Sequence, residues 1–292
     1  MGNGSWTTKA FRDYSTTTKC CAINADGSLD IKSRDASQLY IQRGLAEELN
    51  PYKVIRECRD SDEHPNTVPV ILALDVTGSM GEAAVEVAAE LGKIMEAVFK
   101  DKADIEFMIM GIGDFYYDHC PLQVSQFESD IRIAEQLDKL YFEFGGGGNK
   151  SESYTVAWKF GIDNTDLDCW KRGKKGLIIT MGDENINPYI PHLAWDKIVG
   201  NSTQADIETK DLINEAKEKF NLYHIHVAHR QRDWVDINEW KVYLGENNVI
   251  SCQVNQVAQA IVDIIKQHTN SNSTFINANA GAAAPSFDGI SW

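Results

Sequence analysis

From Val68 onward, apolar runs of strand length alternate with segments of helical period, and this alternation leaves the chain few folds to adopt. The runs are VPVILAL (68–74), IEFMIMGI (105–112), KGLIITM (175–181), LYHIHVA (222–228) and VISCQV (249–254). Between the first two, GEAAVEVAAELGKIMEAVFK sets Ala84, Ala88, Leu91, Met95 and Val98 three or four apart, one apolar face of a helix. The same period predicts helices over DIRIAEQLDKLYFE, SYTVAWKFG, KDLINEAKEKF, DINEWKVYL and NQVAQAIVDIIKQ, and PLQV (121–124) reads as a short edge strand. Strands and helices in this order predict an α/β fold with a mostly parallel sheet. Residues 1–67 are polar and weakly periodic, with one helix expected over SQLYIQRGLAEEL, and read as an extension packed on the core. The domain is expected over 68–270, and the small, polar residues 271–292 as a flexible tail.

A formal net charge of −15 repels nucleic-acid phosphates, and no Lys/Arg stripe overrides it, so nucleic-acid binding is disfavoured. MGNGSWTTKAFRDYS lacks the apolar stretch of a secretory signal, and Trp6 stands where a myristoylation pattern wants Ser or Thr. The apolar run at 68–74 is far shorter than the ~20 residues that span a bilayer. Cys20, Cys21, Cys58, Cys120, Cys169 and Cys252 form no CxxC pair and read as reduced thiols of a cytoplasmic protein with no membrane contact.

The first strand ends in ILALDVTGSM (71–80), where Asp75 is followed by hydroxyls at alternate positions, Thr77 and Ser79. Functional loops of a parallel sheet lie beyond the carboxyl ends of its strands. One carboxylate and two neutral hydroxyls offer oxygen to a hard cation such as Mg²⁺ yet leave it electron-poor, ready to accept an anionic ligand from outside. The bland alternative is a capping turn that opens a helix, for which Asp, Thr and Ser are equally suited.

DVTGSM resembles the first motif, Asp-x-Ser/Thr-x-Ser, of the von Willebrand factor type A family and its metal-ion-dependent adhesion site. The resemblance spans about Val68 to His268 and implies a Rossmann-like, doubly wound, mostly parallel sheet flanked by helices. It also implies an oxygen ligand from the glycine-rich loop GGGGNKSES (145–153) and an Asp after the next core strand, best matched by Asp183 in LIITMGDEN. Within the loop, Asn149 and Ser153 are the ligand candidates and Ser151 a supporting hydroxyl. Two departures stand out: the loop lacks the family's Thr straight after paired glycines, and Met181-Gly182 intervene before Asp183, with Glu184 as a spare carboxylate. RDSDEHPN, GIGDFYYDHCPLQVSQFESD, GGGGNKSES and TMGDEN together resemble stand-alone bacterial and phage members of the family.

What the resemblance implies is a non-enzymatic, Mg²⁺-dependent protein-binding module, with Mn²⁺ or Ca²⁺ as alternative ions, whose partner presents an Asp or Glu. It also allows an adaptor for an AAA-type ATPase, a metal-dependent hydrolase or a phage assembly component. The hydrolase reading is weakened because Thr77 stands where a phosphotransferase wants a second acid.

Asp114, in MGIGDFYYD, is expected at the same edge as Asp75, holding a metal-bound water or orienting a hydroxyl. Asp60, Asp62, Glu63 and His64 suggest a second metal. A seven-residue strand rises about 20 Å, however, which puts this cluster at the opposite edge, as a hydrogen-bonded turn. His224, His226 and His229 form HxHxxH, but no Cys or carboxylate beside them completes a zinc set. Lys150-Ser151 follows the four glycines only after Asn149 and without a preceding strand, unlike a phosphate-binding loop.

Overall fold

A computed structural model describes residues 4–18, 35–100, 104–143, 150–228 and 235–273. The glycines of 145–148, Asn149, Cys20, Cys21, His229 and the tail from 274 lie outside the described residues. The chain opens with α1 (Thr8–Thr18) and the single turn α2 (Ala36–Leu39), then β1 (Arg56–Cys58), β2 (Val68–Asp75) and α3 (Gly81–Phe99). It continues through β3 (Ile105–Ile112), β4 (Leu122–Val124), α4 (Arg132–Leu137), β5 (Ser151–Glu152), α5 (Thr155–Asp163), β6 (Thr165–Leu167) and α6 (Asp168–Lys171). Next come β7 (Gly176–Gly182), β8 (Asn185–Ile186), β9 (Tyr189–Ile190), α7 (His192–Val199), β10 (Ile207–Glu208) and α8 (Thr209–Lys219). The last elements are β11 (Phe220–Val227), α9 (Ile237–Leu244), β12 (Val249–Cys252) and α10 (Val257–Ser273).

The central sheet has six strands in the order β12-β11-β7-β2-β3-β4, all parallel except β4, which runs antiparallel to β3. Side chains alternate between two cores. Val70, Leu72 and Leu74 of β2 meet Leu91 of α3 and Ile261 of α10 on one face. Ile71 and Ala73 meet Trp158 of α5, Leu212 of α8 and Trp240 of α9 on the other. The fold is therefore α/β, a mostly parallel sheet between helical layers. Ile71, Leu72 and Leu74 are at most 1% exposed, and each such burial contributes about 1.5–3 kcal/mol relative to exposure. Strand β2 is accordingly a rigid mount for whatever its end carries.

Strand β2 runs one residue beyond the expected run, so Asp75 sits inside the ladder opposite Ile112. The helix expected over 37–49 does not form. It is reduced to α2 and one 3-10 turn at Glu47–Leu49, because Tyr40 leaves the helical path to bury its ring against Phe142 and donate its hydroxyl to the Ala84 carbonyl at 3.0 Å. Helix α4 covers only Arg132–Leu137 of the expected 130–143. The excursion β9–α7–β10 carries no expectation from periodicity and is anchored by Trp195, 0% exposed. Phe11, Leu39, Tyr40 and Leu49, from the segment before Val68, all enter the α3-side core. Among the described residues, no helix is long and apolar enough to cross a membrane.

A candidate metal centre at the carboxyl edge of the sheet

Asp75 shares a face with Ile71 and Ala73 and is 1% exposed. Beyond it the Val76 amide still donates to the Ile112 carbonyl at 2.9 Å, which holds the turn against the sheet. Thr77 is extended, and the chain then makes a 3-10 turn over Gly78–Met80 into α3. The turn closes on its own carboxylate: Asp75 Oδ1 accepts from the Thr77 amide at 2.9 Å and from Thr77 Oγ1 at 2.7 Å. Thr77 Oγ1 lies 3.3 Å from Ser79 Oγ, and Ser79 Oγ donates to Asp183 Oδ1 at 3.0 Å. Oxygen atoms of Asp75, Thr77, Ser79 and Asp183 thus form one continuous chain, with Ser79 its half-exposed member.

Asp183 arrives there because β7 extends through Gly182, so Met181 and Gly182 belong to the strand and Asp183 is the first residue after it. The apparent two-residue delay in the sequence is strand, not loop. Gly182 is also needed for space. A Cβ there would overlap the hydroxyl of Tyr154, which crosses the strand end and donates to Asp75 Oδ2 at 2.9 Å. The same hydroxyl accepts from the Glu184 amide at 3.3 Å, tying the loop after β7 to the end of β2.

The remaining expected residues divide. Asp114 is fully buried, and its Oδ1 accepts from the amides of Tyr116 and Tyr117 at 2.7 and 3.1 Å, so it shapes the loop after β3. Ser153 is buried at the same edge but stands outside the oxygen chain. Its Oγ accepts from the Phe115 amide at 3.1 Å and from Asn187 Nδ2 at 3.0 Å, joining the loops after β3 and β8. Ser151 lies on β5, paired opposite Asn185 of β8. At the far end of β2, Asp60 Oδ1 accepts from the amide and hydroxyl of Thr67 at 3.1 and 2.8 Å, and Asp60 Oδ2 pairs with Arg172. His64 pairs with Asp104. His224 is fully buried, stacked on Trp240 at 3.6 Å, with its Nδ1 2.9 Å from Thr180 Oγ1. Burial holds its pKa well below the usual histidine range.

Two contributors are not visible in local sequence. Tyr154 supplies the hydroxyl that fixes Asp75, and Glu152, 5% exposed, brings another carboxyl into the same field. Burial first, and then the charge of Asp183, push the Asp75 pKa up to about 7, against the hydrogen bonds from Thr77 and Tyr154. Among the described residues, no Lys or Arg is among the leading influences on Asp75 or Glu152. Buried carboxylates that repel one another with no basic partner are a fitting environment for a cation. Among the described residues, no three His, Cys, Asp or Glu side chains stand together as a ready cage. The candidate donor set is instead two carboxylates and two hydroxyls.

No family model and no curated protein matches the sequence. Among solved structures, a pilus adhesin, SpaC, from Lactobacillus rhamnosus GG is 12% identical with a TM-score of 0.48, over 76% of this chain and 32% of that one. This chain therefore spans about a third of that adhesin's length. The vWF domain of the type V pili tip protein Mfa5 from Porphyromonas gingivalis is 14% identical with a TM-score of 0.46, over 75% of this chain and 98% of that domain. An aerotolerance-related membrane protein from Bacteroides fragilis is 13% identical with a TM-score of 0.42, over 70% and 99% of the two chains. Such low identities and scores carry no weight for function.

Proposed function

We propose that the chain is a cation-dependent protein-binding module. The observation that supports this most is the Asp75–Thr77–Ser79–Asp183 oxygen chain at the edge of the sheet, where the buried Asp75 carboxyl is opposed by the charge of Asp183. Asp75, Thr77, Ser79 and Asp183 would hold Mg²⁺, or Mn²⁺ or Ca²⁺ in its place, directly or through water. The ion would supply what these residues lack, a centre of positive charge that attracts a carboxylate from an Asp or Glu of a partner protein. Asp114, Ser153 and Glu184 would hold the surrounding loops in register. Asn149 remains a candidate ligand from outside the described residues.

Ligation is favoured over turnover. Both oxygens of Asp75 accept hydrogen bonds, from Thr77 and from Tyr154, so neither is poised as a nucleophile. Thr77 supplies a hydroxyl, not the second acid that proton transfer beside Asp75 would need.

Calorimetric titration with Mg²⁺ and Mn²⁺ tests the reading. Native protein is expected to take up one ion, and Asp75→Ala to lose that uptake while keeping the native circular dichroism, because an ion at the sheet edge contributes little to the two cores. The companion experiment is a pull-down in Mg²⁺ and in EDTA. A partner captured equally by native protein in both buffers and by Asp75→Ala would overturn cation-dependent binding.

A further inference from the structure

At the other end of the sheet from Asp75, three side chains form a hydrogen-bonded line. His64 stands before β2, Asp104 directly before β3, and Ser129 directly after the bridge of Phe107 with Glu128. The His64 ring bonds Asp104 through Nδ1, and its Nε2 lies 3.3 Å from Ser129 Oγ. Backbone bonds fix each member. Asp104 Oδ2 accepts from the Asn66 amide at 3.0 Å, and the His64 amide donates to Ser61 Oγ at 3.0 Å. The amides of Phe107 and Glu128 each donate to the other's carbonyl, which sets the place of Ser129. Hydroxyl, imidazole and carboxylate in this order are the parts of an acyl-transfer triad, a constellation recognised by geometry and roles on unrelated folds.

The N-terminal arm keeps this line shut. Ser129 is 0% and His64 9% exposed, and the Gly4 carbonyl lies against both, 2.5 Å from Ser129 Oγ and 3.2 Å from His64 Nε2. A hydroxyl has one proton to give. The Gly4 carbonyl is the nearer acceptor and takes it, so Nε2 does not. The cover is thin, for Gly4 is half-buried and Ser5 exposed. It also tolerates no side chain: a Cβ on Gly4 would lie 2.3 Å from Asp130 Oδ2, and Asp130 is held by Arg132.

We infer that Ser129, His64 and Asp104 form a serine hydrolase site for carboxylic esters, closed by the Gly4 peptide, whose carbonyl stands in for that of the substrate. An ester is the fitting class because it presents the same carbonyl as that peptide on a better leaving group. The inference is independent of the cation-binding reading. With Gly4 displaced, Asp104 keeps the proton on Nδ1 and Nε2 accepts the hydroxyl proton. Ser129 Oγ attacks the ester carbonyl carbon, its proton passes to Nε2, and the alcohol departs with that proton. Water then releases the acid by the same route, giving Nε2 a proton that returns to Ser129. Ser129 and His64 touch the reacting atoms, and Asp104 is a positioning residue.

The test labels the whole chain with a fluorophosphonate, a probe for serines that a base activates. The Oγ–phosphorus bond forms, fluoride leaves, and His64 takes the proton. Intact mass reads the rate, and peptide mapping reads the site. Native protein is expected to label slowly at Ser129. Gly4→Ala should label at least about tenfold faster, the scale on which losing the arm's hydrogen bonds shifts an opening equilibrium. Adding His64→Gln to Gly4→Ala should slow labelling at least about 100-fold, the lower range of general-base catalysis. Adding Asp104→Asn instead should move the pH midpoint of labelling downward. Asp104 and Glu106 are the carboxylates that favour the charged ring, and the bonded one is then gone. Hydrolysis of p-nitrophenyl acetate should follow the same order. No labelling of Ser129 in native or Gly4→Ala protein would overturn the inference. So would equal rates with and without His64, or an unmoved midpoint in the Asp104→Asn variant. If Gly4→Ala loses its native circular dichroism, the native chain decides alone: slow labelling at Ser129 supports the site, and none overturns it.

Discussion

Glu106 enters the core at the start of β3 with a thiol, not a base, as its hydrogen-bonding neighbour. It is 2% exposed, its Oε2 has no hydrogen-bond partner among the described residues, and its side chain bonds Cys58. Burial pushes its pKa up to about 7, against the opposing effects of Cys58 and His64. The folded chain therefore keeps a proton that the unfolded chain releases near the ordinary carboxylate range. Stability falls as pH rises across the interval between those two values and stays low above about 7. The loss is on the order of 3 kcal/mol. Glu106→Gln removes the ionisation and keeps the shape, so it should melt higher than native protein at pH 8 and close to it at pH 4. Parallel melting curves at both pH values would mean that the carboxylate ionises there at little cost. The residue scale also shows where sequence reading stops. Asp75, Thr77 and Ser79 were legible because their spacing in one turn makes their geometry local. Tyr154 reaches the same site from just after β5, whose pairing with β8 nothing in SESY announces.

At the scale of elements, the central strands were legible because a strand buried on both faces is a nearly continuous apolar run. Expected and observed bounds of β2, β3, β7 and β11 differ by two residues at most. Segments shaped by a single distant contact were not legible. Tyr40 breaks its expected helix to reach Ala84, and the β9–α7–β10 excursion hangs on the burial of Trp195. The arm formed by α1 was not legible either, although several distant contacts hold it. Phe11 packs over Gly92 of α3, where a Cβ would come within 2.9 Å of the ring, and Tyr14 donates to Asp138 at 2.8 Å. Its leading end is clasped at the Gly4 carbonyl, 2.5 Å from Ser129 Oγ and 3.2 Å from His64 Nε2. An imidazolium donates to Gly4 and Asp104 at once. A neutral ring with its proton on the Asp104 side turns a lone pair toward the carbonyl instead. Burial lowers the His64 pKa, but the hydrogen bond and charge of Asp104 outweigh it and the net shift is upward. The clasp therefore contributes fully below the ordinary histidine value and is lost as pH rises through the elevated one. Hydrogen-exchange protection of the α1 amides, corrected for intrinsic rates, should decline over that rise while that of β2 does not. His64→Ala should show the weaker α1 protection at every pH. Unchanged α1 protection in that variant would mean that Phe11 and Tyr14 hold the arm without the clasp.

Taken whole, the molecule carries a formal net charge of −15 and places buried carboxyl groups, Asp75 and Asp183, at one edge of the sheet. Two effects of added salt follow, and they can be separated. Any salt screens the general repulsion of an acidic surface, with a Debye length of about 10 Å at 0.1 M. The edge carboxylates are buried, so mobile ions screen them poorly and only an ion that enters the site relieves their repulsion. A ligand that binds only the folded chain stabilises it by mass action, about 2.7 kcal/mol at one hundred times its dissociation constant. Melting temperature should accordingly rise more in MgCl₂ than in NaCl at the same ionic strength. Asp75→Ala should keep the NaCl response and lose the extra rise in MgCl₂. Its melting temperature in EDTA should lie close to that of native protein, because the substitution removes an unneutralised carboxylate as well as its hydrogen bonds to Thr77 and Tyr154. Identical responses to the two salts in native protein would reduce the whole effect to screening, and the charge at the sheet edge would then have to be carried by protons alone.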